Sequence, residues 1–92
     1  MKRYIKGSVD QRYKVIKTST WWDPEGLQTP HDPGRVQFQG SHDDCAEWLA
    51  DMCWDSKHSE YAIVEEYVVG AYLQIYYPYA IARAQYTIVQ ED

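Results

Sequence analysis

Residues 41–55 read Ser41-His42-Asp43-Asp44-Cys45-Ala46-Glu47-Trp48-Leu49-Ala50-Asp51-Met52-Cys53-Trp54-Asp55. Cys45, Trp48, Leu49, Met52 and Cys53 recur at i, i+3, i+4, i+7 and i+8. That spacing gathers apolar side chains into one stripe of an α-helix. Ser41 has the chemistry of an N-cap, and Asp44 three residues on gives a capping box with Asp in place of Glu. Asp43 and Asp44 fall in the first turn, where the helix dipole favours carboxylates. The spacing therefore predicts an amphipathic helix over Ser41–Asp55, with Lys57, His58 and Ser59 forming its exit turn.

On both sides of this helix the chain reads as strand. Before it, Arg12–Trp22 is rich in β-branched and aromatic residues, and Met1–Lys6 reads as an earlier extension broken by Gly7 and Ser8. Pro24, Gly26, Pro30, Pro33 and Gly34 make 23–34 a long loop. Arg35–Gln39 alternates, with Val36 and Phe38 expected to point inward. After the helix come Tyr61–Val69, a bend at Gly70, then Ala71–Tyr77. A turn at Pro78-Tyr79 leads to Ala82–Val89, with Ala84, Tyr86 and Ile88 on one face. The expected fold is α+β: a mainly antiparallel sheet in the order β-β-α-β-β-β, with the helix packed on one face.

Ninety-two residues make one expected domain, 1–92. No apolar run reaches the roughly 18 residues of a membrane span, and no apolar signal stretch follows the basic N-terminus. The expected location is the cytoplasm. Cys45 and Cys53 lie about 12 Å apart along a continuous helix, too far for a disulfide, and read as core thiols.

Charge is divided unevenly. Residues 1–20 hold six bases against one acid, and residues 21–92 hold three bases against thirteen acids, giving the net charge of −5. An acidic body keeps a small domain dissolved, and it also permits a basic partner while arguing against general nucleic-acid binding. A weak nucleic-acid reading would use Lys2, Arg3, Lys6, Arg12, Lys14 and Lys17, and would show steep salt dependence.

Two patterns imitate catalytic or metal sites. His42, Cys45, Cys53 and His58 spell a zinc-like H-x2-C-x7-C-x4-H. Cys45 and Cys53, more than two turns apart on one helix, cannot share an ion unless the helix breaks. His31-Asp32 and His42-Asp43 could each orient a histidine, but no nucleophile signature accompanies them. Phosphate-binding glycine motifs are absent. The expectation is a non-enzymatic protein with no cofactor and no metal.

The sharpest feature is the helix's other side. At about 100° per residue, with Asp44 at zero, Glu47 falls near −60°, Asp51 near −20° and Asp55 near +20°. Trp54 lies near −80°, beside this acidic stripe. Like charges four apart cost a few tenths of a kcal/mol each. An acidic row carrying a Trp has the composition of a contact face for a basic partner. The expected partner-binding residues are Asp44, Glu47, Asp51, Trp54 and Asp55, unless loop 23–34 folds over Trp54. A second candidate surface is the sheet, where Tyr61, Tyr67, Tyr72, Tyr76, Tyr77, Tyr79 and Tyr86 exceed what one core face needs. Self-association through it would make the chain a structural or regulatory module and a homodimer; without it the expected state is a monomer.

A strand ending Val36-Gln37-Phe38-Gln39-Gly40 runs into Ser41-His42-Asp43-Asp44-Cys45-Ala46-Glu47-Trp48-Leu49 and later Tyr61-Ala62-Ile63-Val64-Glu65-Glu66. About half the chain in this way resembles small proteins of phages and other mobile elements, as does the opening Met1-Lys2-Arg3-Tyr4-Ile5-Lys6. Loop 23–34 and the C-terminal hairpin fall outside the likeness. Many such proteins bind and block a host machine, and anti-CRISPR proteins are the best-known group of this size. The resemblance implies an inhibitor in a bacterial host's cytoplasm. Its partner would be a protein or ribonucleoprotein complex with a basic surface, which it would occupy by mimicking DNA.

Overall fold

The computed structural model describes residues 12–21 and 34–91. The expected extension Met1–Lys6 and all of the Pro-rich loop except Gly34 lie outside these residues. The elements are β1 (Tyr13–Trp21), β2 (Arg35–Gly40), α1 (His42–Lys57), β3 (Ile63–Val68), β4 (Tyr72–Tyr77) and β5 (Ala82–Gln90). The five strands form one antiparallel sheet in the order β2-β1-β5-β4-β3. α1 crosses one face and touches every strand. The architecture is α+β, as the alternation of helix and strand periods predicts.

The core lies between helix and sheet. Cys45, Leu49 and Cys53 of α1 meet Val15, Leu73, Ile75, Ala84 and Tyr86, all buried. Trp48 ties two strands to the helix: its indole stacks on Phe38 at 6.4 Å and leans on Tyr86 at 5.7 Å. Ser41 caps α1 as its chemistry predicts, its Oγ accepting from the Asp44 N–H at 3.1 Å. Gly40 lets the strand end approach the helix start, since a Cβ there would meet Phe38 at 3.2 Å and Asp44 at 3.3 Å. The helix runs two residues past its expected end, through the buried Ser56 and through Lys57.

One inward assignment is corrected. Phe38 packs against the core, but Val36 is 48 % exposed. Val15 pairs with Phe38 while Ile16 pairs with Val36, so Gln37 is an extra, bulged residue. A bulge reverses which face the preceding residues occupy. The same device operates at Glu65: Val64 pairs with Ile75, Glu66 with Gln74 and Tyr67 with Leu73. Val64 and Tyr67 therefore both reach the core although they are three residues apart.

Gly70 makes the expected bend, at φ +76°, where the Ala71 N–H donates to the Val68 carbonyl at 3.0 Å. Tyr61, expected to open β3, lies in the turn before it. The β4–β5 turn is less comfortable. Ile81 has φ +51°, a left-handed conformation that a β-branched residue rarely adopts, and its side chain is half exposed. That conformation costs an L-residue about 1–2 kcal/mol. Ile81→Gly is expected to raise stability by about 1 kcal/mol, read as a rise of about 5 °C in thermal midpoint. A lower midpoint would show that contacts of the Ile81 side chain outweigh its backbone strain.

Candidate functional site

The outer face of α1 is built by the same residues that place its core face. With Cys45, Leu49 and Cys53 fixed on the sheet, helical geometry turns Asp43, Asp44, Glu47, Asp51 and Asp55 away from it. All five are exposed. None of them forms an ion pair with a described residue; the Glu65–Arg83 pair, at 2.7 Å, lies on the sheet. Lys57 does fall within the helix, contrary to expectation. It sits roughly 140° around the axis from Asp44, outside the acidic stripe. From Asp44 to Asp55 the stripe extends about 16 Å along the axis.

Trp54 is 61 % exposed at the edge of this stripe. The cover considered for it, loop 23–34, lies outside the described residues. Its indole is held by His58, whose ring stacks on it with centroids 3.9 Å apart and planes 24° apart. The His58 Nδ1–H donates to the Trp54 carbonyl at 2.8 Å. The His58 backbone N–H meanwhile closes the helix by donating to the Trp54 and Asp55 carbonyls, each at 3.2 Å. His58 was not among the expected site residues. The signal for it was its position four residues after Trp54, where two rings share a helix face. A Trp held this way loses less rotamer freedom on binding.

The zinc-like spelling is taken apart by the same helix. Cys45 and Cys53 are free thiols in the core, and His42 and His58 stand at opposite ends of α1. Burial, with help from Asp44, pushes the Cys45 thiol up from its ordinary range. Among the described residues no three His, Cys, Asp or Glu side chains gather closely enough to hold an ion. No helix of the described residues is long and apolar enough to cross a membrane.

The tyrosines divide between surfaces. Tyr67 and Tyr77 pack against the core and Tyr86 is buried in it. Tyr61 and Tyr79 meet edge to face at 5.8 Å, both exposed. Of the seven named above, Tyr72 and Tyr76 belong to the sheet face opposite the helix. They share it with a polar network. Gln74 accepts from the Tyr72 hydroxyl at 2.5 Å and from Gln85 at 2.8 Å, and donates to Glu65 at 2.8 Å. Arg83 grips Glu65 with two bonds, of 2.7 and 3.1 Å, and lies 4.8 Å from the Tyr76 ring. The Arg83 bond holds the Glu65 carboxyl below its ordinary range.

Compared with known proteins, the chain matches no family model, no curated protein and no solved structure. A functional reading therefore rests on the chain's own surfaces.

Proposed function

We propose that this chain is a small acidic binding protein of a phage or mobile element. It inhibits a host nucleic-acid-handling complex, with a CRISPR effector as the leading target, by laying the outer face of α1 on a basic surface. The observation that carries this reading is the exposed row Asp44, Glu47, Asp51 and Asp55, without ion-pair partners among the described residues and flanked by the braced Trp54. Four carboxylates over about 16 Å are sparser than a nucleic-acid strand's one charge per about 3.4 Å. Charge thus steers the encounter, while Trp54 supplies the desolvated anchor.

The test uses purified CRISPR effector complexes, with target-DNA cleavage and direct binding as readouts. Glu47→Lys/Asp51→Lys/Asp55→Lys is expected to keep the fold, since all three residues are exposed. Binding and inhibition are expected to fall by about tenfold or more, and wild-type binding to weaken with added salt. A folded triple variant that binds and inhibits like wild type removes α1 as the working face.

A further inference from the structure

The sheet has a second face, and none of the described elements packs on it. A row of residues crosses that face through all five strands. Val36 pairs with Ile16, Ile16 with Thr87, Thr87 with Tyr72, and Tyr72 with Val68. At about 4.8 Å between strands this stripe is roughly 19 Å long. Its ends are open: Val36 is 48 % and Val68 47 % exposed.

We propose that this face docks a second copy of the chain, sheet on sheet, to give a four-layer α-β-β-α homodimer. Charge opposes a like copy less on this face than on the helix side. The outer face carries Lys14 and Arg83 against Glu65, Glu66 and Glu91, which is bonded to Gln39, a nearly balanced set, whereas the helix side carries the exposed acids of α1 that repel a copy. The stripe is also self-complementary. A two-fold axis through Thr87 along β5 sets Val36 over the copy's Val68 and Ile16 over its Tyr72, as a closed isologous contact requires.

Polar groups on this face are ready to be covered. Tyr72, Gln74, Gln85, Glu65 and Arg83 already satisfy one another across three strands, so burying these five leaves few of their donors or acceptors stranded, whereas Lys14 and Glu66 stand outside the network and must keep their contact with water. Five strands about 20 Å long offer roughly 500 Å² per copy, about 1,000 Å² in all. That is the lower limit for a specific interface, the size range of weak and transient contacts.

Sedimentation velocity of the full chain, from about 1 to 200 µM, reads the proposal. Wild type is expected to move from monomer toward dimer across this range, with little change in high salt. Val36→Lys/Val68→Lys is expected to weaken dimerisation about tenfold or more. Val36→Thr/Val68→Thr keeps the β-branched shape should the lysine pair fail to fold, and is expected to weaken it less. The helix variant Glu47→Lys/Asp51→Lys/Asp55→Lys is expected to dimerise still, which separates this surface from the one proposed above. A wild type that stays monomeric at every concentration overturns the proposal. So does a folded Val36/Val68 variant, of either kind, that dimerises as wild type does.

Discussion

Leu49→Ala is expected to cost about 3–4 kcal/mol, most of what holds the helix on the sheet. Leu49 has no exposed surface and lies at the middle of α1, between Cys45 and Cys53, over Val15, Leu73 and Ile75. Truncating it removes its transfer free energy and leaves a cavity. The site collapses poorly because α1 is held on both sides of it by the buried Cys45 and Cys53. Trp48 holds it to Phe38 and Tyr86, and the Ser41 cap fixes its start. A chain of this size has a total stability of about 5–14 kcal/mol, so the variant stands near the edge of folding. At about 4–8 °C per kcal/mol, the thermal midpoint falls by about 15–25 °C. Trp54→Ala on the opposite side of the same helix is the control. Its side chain is mostly exposed, and its loss is expected to change stability by about 1 kcal/mol or less. A small loss for Leu49→Ala, comparable to the control, would mean that the helix does not sit on the sheet in this way.

Those two residues also mark how far the sequence could be read. The face of α1 that holds Leu49 has a 3.6-residue period and a capping serine, and both survive into the structure as written. Its acidic side follows from the same rotation, so every expected partner-binding residue is exposed. What escaped was the last turn. Ser56 is buried yet polar, so it breaks the apolar pattern that would have carried the helix to Lys57. The brace on Trp54 escaped with it, because His58 sits beyond the expected end.

In the sheet, the misread residue is Val36, and the cause is a bulge at Gln37 with no glycine or proline to announce it. The bulge at Glu65 is equally silent. Strand order was not legible either. β1 lies between β2 and β5, and its nine-residue pairing with β5 joins segments about 70 residues apart. No local pattern encodes a partner at that distance. Consequently the open face, with its stripe from Val36 to Val68, exists only once the register is known.

Alkali provides the second large effect, through Tyr86. This phenol is buried against Trp48, with the Lys17 ammonium 5.7 Å from its ring. Burial, then the charge and hydrogen bond of neighbouring Tyr77, push its ionisation up to about 12. An unfolded tyrosine ionises near 10. Below about pH 10 both states hold the proton, and the buried phenol's contribution is complete. Above it the unfolded chain releases the proton while the folded chain keeps it. Each further pH unit then favours unfolding by about 1.4 kcal/mol, up to about 3 kcal/mol as the pH reaches 12. Tyr86→Phe has no proton to release. It is expected to be less stable than wild type near neutral pH, having lost its bond with Tyr77, yet to lose less stability between pH 10 and 12. Urea midpoints of both proteins at several pH values measure the difference directly. The two proteins differ at no other titratable group, so the comparison isolates Tyr86 together with its coupling to Tyr77. Parallel pH curves would mean that Tyr86 ionises as freely in the folded protein as in the unfolded one. The phenol would then be in contact with water, and the core between Trp48 and β5 would be open to solvent.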